Sequence, residues 1–258
     1  QMTADKLTGI VLRNTPLNDS TSLLTLLTAE RGRKTVTCHG ARKLTSRMMP
    51  ATQPFCFCQF VVSEKNNRLT LREASLVESF FDLRCDPLDC ALGSYFLETA
   101  AECARENEEE CELLQLLLNC LYALCHKLTQ REQIKTVYEL RLLGIEGSGP
   151  AFDDCVLCGR AIGKDCAFDP LEGGIVCPSC QKESEHPALL LPFDAGAREA
   201  LSYILTCPSK KLFSFTLGEG SFLKLQKAAE KSLQCFFERS FDSLDFYKNM
   251  AGDFKNFM

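Results

Sequence analysis

Two pairs of cysteines, Cys155-Val-Leu-Cys158 and Cys177-Pro-Ser-Cys180, are the most informative stretches of this sequence. Each C-x-x-C turn directs two thiolates at one point, and the 18 residues between the pairs match the spacing of four-cysteine zinc sites. Because catalytic zinc keeps one coordination position open for water or substrate, four thiolates indicate a structural ion. We therefore predict one structural Zn²⁺ bound by Cys155, Cys158, Cys177 and Cys180.

A redox C-x-x-C motif is the alternative interpretation of these cysteines. It requires only one pair, placed beside a βαβ unit, whereas this chain has two matched pairs. Cys166 lies between them, and we expect it in a strand of the hairpin that connects the pairs. As a fifth thiol it is a competitor for the metal.

Length and composition indicate a globular protein with one large domain or two to three small ones, since 45% of its 258 residues are hydrophobic. Most other cysteines sit singly in apolar runs, as Cys120 and Cys125 do, which favours buried thiols in a reducing cytosol over secreted disulfides. No export signal is recognisable, and the apolar stretch 113–124 is too short to span a bilayer. We expect a cytoplasmic protein without a membrane anchor.

The first 80 or so residues read as β-structure, because apolar residues recur at every second position or form short β-branched runs. Predicted strands cover residues 8–12, 22–28, 34–37, 55–62 and 68–77. Five strands in so short a segment fit a small closed barrel, and the OB-fold is the leading candidate on size and strand count.

The pattern changes at Asp86-Pro87, where an N-cap residue precedes a proline at the first helical position. Helical periodicity follows over residues 87–104, 109–127, 131–143, 194–206 and 219–239. The fold class is therefore predicted as α+β and multidomain, an OB-fold barrel followed by an all-helical domain that carries a zinc finger. The predicted segments are the barrel at 1–82, a first helical part at 83–150, the four-cysteine insertion at 151–182 and a second helical part at 183–258.

A basic run spans the turn after the second predicted strand. Between residues 31 and 47 there are six cations and no acidic residue, namely Arg31, Arg33, Lys34, Arg42, Lys43 and Arg47. Residues 1–85 carry 12 Lys/Arg against 7 Asp/Glu, while the rest of the chain carries 17 against 27. This asymmetry predicts that the run contacts nucleic-acid phosphates, with a solvated surface loop as the alternative.

Several short motifs spread along the chain occur together in one known family. They are Gly32-Arg-Lys, Gly40-Ala-Arg-Lys, Gln53-Pro-Phe, Tyr138-Glu-Leu-Arg-Leu-Leu-Gly144, Cys155-Val-Leu-Cys-Gly159, Phe168-Asp-Pro-Leu-Glu-Gly-Gly-Ile-Val-Cys-Pro-Ser-Cys180 and Phe237 with Arg239-Ser and Ser243-Leu. None suffices alone, but the cysteine and glycine blocks are specific in combination. In these motifs the chain resembles the RecO family of bacterial recombination mediators.

The resemblance implies an OB-fold joined to a helical domain with a four-cysteine zinc finger. It implies binding of single- and double-stranded DNA, annealing of complementary strands and, with RecR, loading of RecA onto DNA coated by single-strand-binding protein. It implies no catalytic activity. The DNA-facing residues carried onto this chain are the six cations of the basic run, and the metal ligands are the four paired cysteines. Some family members lack these cysteines, so the ion is expected to stabilise the fold rather than to anneal DNA.

The acidic, phenylalanine-ended tail of single-strand-binding protein is a further partner that the resemblance implies. Such a tail requires a basic rim around an apolar pocket. The candidates for that rim, near the third predicted helix, are Lys127, Arg131, Lys135 and Arg141.

Two other functional classes compete with DNA mediation. A zinc enzyme such as a nucleobase deaminase is disfavoured, because none of the three histidines is followed two positions later by the glutamate that this chemistry requires. A non-catalytic interaction scaffold without DNA contact suits the acidic carboxy-terminal two-thirds but leaves the basic barrel unexplained. The acidic run Glu106-Asn-Glu-Glu-Glu110 is expected to be a solvated helix start.

Overall fold

The computed structural model describes residues 4–40, 48–163 and 165–256, with side chains up to residue 252 in the last stretch. Its amino-terminal strands are β1 (Ala4–Pro16), β2 (Thr21–Thr28), β3 (Gly32–His39), β4 (Phe57–Lys65) and β5 (Arg68–Glu78). They close into a barrel in the order β1-β2-β3-β5-β4. The predicted five-stranded barrel is confirmed. β1, β2, β3 and β5 extend beyond their predicted ranges, whereas β4 begins two residues after its predicted start and ends three residues after its predicted end.

The barrel is antiparallel except where β3 meets β5. That junction is parallel and short, with Val36 opposite Leu69 and Thr37 opposite Thr70. Alternate side chains of these strands point inward, so Val36 and Leu69 belong to the buried core while Thr37 and Thr70 face outward. At the junction the outward side chains of β3 and β5 are therefore polar, whereas Leu76 and Val77 are exposed farther along β5.

Seven α-helices are present in the described part of the chain. They are α1 (Pro87–Cys103), α2 (Cys111–Cys125), α3 (Arg131–Ile145), α4 (Pro178–Lys182), α5 (Ala195–Thr206), α6 (Glu219–Phe237) and α7 (Asp242–Asn256). α1 begins as predicted, because the Asp86 side chain accepts hydrogen bonds from Leu88 N and Asp89 N and Pro87 needs no partner at the first position. α7 was not predicted, since its apolar stripe is short and Gly252 interrupts it.

A second, three-stranded sheet accompanies the cysteine pairs. Its strands are β6 (Cys166–Asp169), β7 (Gly174–Val176) and β8 (Leu191–Phe193), in the order β7-β6-β8 with both pairs antiparallel. β6 and β7 form the hairpin between the two cysteine pairs, and Cys166 lies in β6 as predicted. The third strand comes from beyond the second pair.

The chain divides into two compact units. One consists of Gln1–Cys125 with Ser243–Met258 and contains the barrel, α1, α2 and most of α7; the other is His126–Asp242 and contains the remaining helices and the cysteine pairs. The four predicted segments describe local architecture and stay a prediction. Within the described ranges, no helix has both the length and the apolar character needed to cross a membrane.

Candidate functional site

The four paired cysteines converge on one point. The Sγ atoms of Cys155, Cys158, Cys177 and Cys180 all lie within 4.8 Å of one another, and Cys158 Sγ is 3.8 Å from Cys177 Sγ. In a tetrahedral site with Zn–S bonds of about 2.3 Å, neighbouring sulfurs are about 3.8 Å apart. The group therefore fits a tetrahedral metal ion with four thiolate ligands, as the spacing predicted.

Two tight turns present these thiols. In the first, Gly159 N donates to Cys155 O at 2.8 Å and Cys155 N donates to Arg160 O at 2.9 Å. Gly159 has φ +69, in the left-handed region that favours glycine, so it closes the turn without strain. In the second, Cys177 caps α4 and Pro178 occupies its first position, which places Cys180 on the same face one turn later.

The two turns are joined by main-chain contacts. Val156 N donates to Ile175 O at 3.0 Å, and Cys177 N donates to Cys155 Sγ at 3.3 Å. Burial acts to raise the pKa of Cys155, but backbone N–H donors from Cys177, Cys158 and Leu157 outweigh it and bring the pKa to about 6. Both turns thus stabilise the thiolate form that a metal requires.

The Cys180 thiol holds its proton more strongly than an ordinary cysteine. The hydrogen bonds that it donates to the sulfurs of Cys158 and Cys177 raise its pKa to about 12, so metal binding must release that proton. Cys166 is not in the converging group, and burial raises its pKa. Its buried thiol is an inert core side chain rather than a fifth ligand.

The basic run is only partly described. Arg42, Lys43 and Arg47 lie outside the described residues. Arg31, Arg33 and Lys34 are on or beside β3, and all three contact oxygen atoms of this same chain. Arg31 Nη1 lies 3.0 Å from Asp5 Oδ2 and 3.1 Å from Glu64 Oε2.

Arg33 and Lys34 contact a segment that follows α1. Arg33 Nη2 is 3.7 Å from Glu106 Oε1, and its Nη1 donates to the carbonyl of Ala101 at 2.8 Å. Lys34 Nζ donates to Asn107 Oδ1. The acidic run therefore lies directly against two of the cations that the sequence assigned to DNA.

The main chain of residues 105–110, here called the acidic segment, holds this arrangement in place. Arg33 N donates to Arg105 O at 2.9 Å, and Glu110 N donates to Ala29 O at 3.0 Å. Glu110 is only 3% exposed and accepts from Arg105 N and Nε at 3.0 Å. The prediction of a helix start is wrong, because the segment docks on the β2–β3 turn and α2 begins only after it. The expected solvation holds for residues 106–109, which are exposed, but not for Glu110.

Glycine at position 32 makes this docking possible. Its φ is +59, and a Cβ there would lie 2.0 Å from Arg105 O. A residue with a side chain would push the acidic segment away from the turn. The sequence showed a glycine, Gly32, beside three cations. It did not show what this glycine contacts, because Arg105 lies more than 70 residues away along the chain.

Two candidates for the partner-peptide rim, Lys135 and Arg141, bind other groups of the second unit. Lys135 is 1% exposed, with its Nζ 2.8 Å from Glu139 Oε1 and 2.9 Å from Glu230 Oε2. Burial acts to lower its pKa, but the two carboxylates raise it above the ordinary lysine value. The prediction that Lys135 belongs to an exposed rim is therefore wrong, since helical periodicity did not reveal its buried acidic partners.

Arg141 is also used within the fold. Its Nη1 donates to the carbonyls of Ile204, Leu205 and Cys207 at 3.2, 3.0 and 3.3 Å, where α5 ends. These bonds satisfy orphan carbonyls of a helix end. Of the four rim candidates, Lys127 is exposed and Arg131 is half-buried.

Comparison with known proteins gives one consistent family. The family model described as Recombination protein O N terminal matches residues 2–80, and the model described as Recombination protein O C terminal matches residues 84–245. A protein named DNA repair protein RecO from Acetivibrio thermocellus is 29% identical over 245 residues, covering 95% of this chain and 96% of that protein.

Two further relatives carry the same name. The protein from Anaeromyxobacter sp. is 35% identical over 179 residues, covering 68% of this chain and 70% of its own length. The protein from Bacillus pumilus is 31% identical over 190 residues, covering 74% and 73%. Matches to both family models, with the closed barrel and the four-cysteine group, establish that the chain belongs to the RecO family of DNA repair proteins.

Proposed function

We propose that this protein is a non-catalytic recombination mediator. It binds single- and double-stranded DNA, anneals complementary strands and, with RecR, helps load RecA onto DNA coated by single-strand-binding protein. It acts in the bacterial cytoplasm, at the nucleoid during repair. The observation that carries the proposal is the match of both family models to a chain whose sequence has six cations between residues 31 and 47.

Annealing requires that two like-charged strands be neutralised while their base edges stay free to pair. Lysine and arginine contacts to phosphates meet this need, because they carry no sequence information and leave the bases accessible. The basic run has the charge and the glycine and hydroxyl content for such contacts. We therefore assign the positioning of strands to the barrel.

The metal in the proposal is zinc and its role is structural. When bound, the ion supplies cross-linking free energy to a unit that is too small to form a large core. The four cysteines fill the coordination sphere, and the N–H groups around Cys155 favour its thiolate. Residues 151–182 then serve as a rigid element of the helical part, separate from the barrel cations.

The acidic tail of single-strand-binding protein is the proposed ligand of the helical part. Among the original four candidates Lys127 is exposed and Arg131 and Arg141 are half-buried, but Arg141 donates to the carbonyls at the end of α5. A labelled peptide with an acidic, phenylalanine-ended sequence tests this assignment. Binding that falls for Lys127→Ala and Arg131→Ala supports it, whereas unchanged binding removes this rim.

A scaffold without DNA contact is the second candidate function. One observation favours it, namely that Arg31, Arg33 and Lys34 all contact oxygens of this chain. The deciding experiment is fluorescence anisotropy of a labelled oligo-dT strand at several salt concentrations. DNA mediation predicts binding whose affinity falls linearly on a log–log salt plot. Absence of binding at low salt would leave the scaffold as the function.

A further inference from the structure

The face of the barrel formed by β1, β2 and β3 is partly covered by a helix. In OB-folds the face around strands 2 and 3 takes oligonucleotides, but here α1 runs along it. The two sides enclose a cleft of about 650 Å³, in which barrel residues Arg13 and Thr25 face Glu98 and Glu102 of α1. Arg13 and Arg33 line this cleft together with Glu98, Glu102 and Glu106, so carboxylates compete there with phosphates for the cations.

A different part of the barrel carries cations without acidic partners. Lys65 and Arg68 lie opposite each other at the tip of the β4–β5 hairpin. Asn66 and Asn67 have φ of +50 and +58, which is the two-residue turn geometry that brings the flanking side chains together. Neither cation makes an ion pair or a side-chain hydrogen bond with any residue in the described ranges. Their charge is available to a ligand.

The hairpin tip also has the shape and the neutral donors of a phosphate site. Lys65, Asn66, Arg68 and Thr70 line an open cleft of about 520 Å³. Arg68 and Thr70 point to the same side of β5, about 6.7 Å apart along the strand. An ammonium, a guanidinium, an amide and a hydroxyl therefore converge where a strand can approach from solvent.

This cleft is continuous with the start of the basic loop. Thr70 pairs with Thr37 across the parallel β3–β5 junction, and β3 ends two residues later at His39. The chain then enters the stretch that contains Arg42, Lys43 and Arg47. The outer side of β3 and β5 thus connects the hairpin cations with the beginning of that stretch.

We propose that Lys65 and Arg68 form a phosphate-binding site for single-stranded nucleic acid, and that the strand runs along the outer side of β5 and β3 rather than across the β1–β3 face. The inference rests on the proposed DNA binding and adds the path of the strand. The hairpin supplies phosphate contacts that the sequence did not assign, and Asn66 and Thr70 add neutral donors beside them.

The test compares two charge-matched double variants in the oligo-dT anisotropy titration. Lys65→Ala/Arg68→Ala removes the hairpin cations, and Lys6→Ala/Arg13→Ala removes two exposed cations of β1. Each lost phosphate contact lowers the salt slope for a single strand by about 0.7, so the hairpin variant should lose about 1.4 and bind on the order of 10-fold more weakly near 0.1 M salt. The β1 variant should keep the slope of the parent protein.

The possible outcomes distinguish a wrong strand path from a wrong assignment of DNA binding. A parent protein that binds DNA, with equal losses in both variants, would overturn the hairpin site and indicate a response to bulk charge alone. A hairpin variant with an unchanged slope would also overturn it. A parent protein that binds no oligo-dT would overturn the proposed function itself. Matching thermal unfolding curves for all three proteins establish that the comparison concerns binding and not folding.

Discussion

The four-cysteine group and the basic run were both visible in the sequence, yet the structure treats them differently. The cysteines converge as their spacing predicted, with Sγ atoms within 4.8 Å of one another. The described cations of the basic run instead meet carboxylates and an amide from β1, β4 and the acidic segment. A coordination site is specified by ligands close together in sequence, whereas the availability of a charge depends on every segment that folds against it.

The largest effect is expected at the four-cysteine group, where the sequence prediction and the structure agree. Cys177→Ser should abolish binding of the single zinc and unfold residues 151–182, since structural zinc contributes binding free energy on the order of 10 kcal/mol. Zinc content per chain and thermal unfolding measure this. Cys166→Ser is the matched control, because that buried thiol lies outside the group and should leave one zinc bound. A Cys177 variant that retains one zinc would contradict the ligand assignment.

Substitution of the buried Lys135 tests whether a cation that is paired inside the fold is needed for stability. Lys135→Met should destabilise the second unit by roughly 3–5 kcal/mol, because it leaves the buried carboxylate of Glu139 without its ammonium partner. Urea denaturation gives the free energy of unfolding. Lys127→Met changes an exposed cation and should alter stability by less than about 0.5 kcal/mol. Equal stability of the two variants would show that Lys135 is not needed for the fold.

The docking of the acidic segment gives a prediction of intermediate size. Gly32→Ala should cost roughly 2–4 kcal/mol, because its φ is positive and the new Cβ meets Arg105 O. Gly40 has φ +74, but no atom of the described residues lies within 4 Å of its Cβ position, so Gly40→Ala should cost only about 1 kcal/mol. The two free energies of unfolding should therefore differ. If they agree, the acidic segment does not press on the turn.

The smallest effect concerns competition for Arg33. Glu106→Gln removes the carboxylate beside Arg33 and should raise oligo-dT affinity about twofold to threefold, with a steeper salt slope. Glu109→Gln removes the same charge from an exposed position that makes no ion pair within the described ranges and should change the affinity less. Identical gains in affinity from both variants would mean that only net charge matters and would contradict specific competition by Glu106.

The sequence predicted the elements that local rules determine. Alternation located the five strands because each buries one face, and Asp86-Pro87 marked the start of α1 because its cap is local. It did not predict the acidic segment, whose partner is a turn more than 70 residues earlier. It also misplaced Lys135, because Glu230 lies 95 residues away along the chain. The Asn-Asn turn between Lys65 and Arg68 predicts a hairpin, but a local turn signal does not indicate whether the flanking cations find acidic partners in the fold.

α7 has a consequence for the order in which the protein is assembled. Ser243–Met258 belong to the same compact unit as Gln1–Cys125, with Ser243 Oγ hydrogen-bonded to Glu98 Oε2 at 2.5 Å, while His126–Asp242 form the other unit. A ribosome adds about 5–20 residues per second, so the barrel unit waits on the order of 10 s for its last helix after Cys125 has been made. The barrel unit is therefore completed only after the whole second unit has been synthesised, and a nascent chain must keep the α7-binding surface of the barrel unit uncovered until α7 has been made.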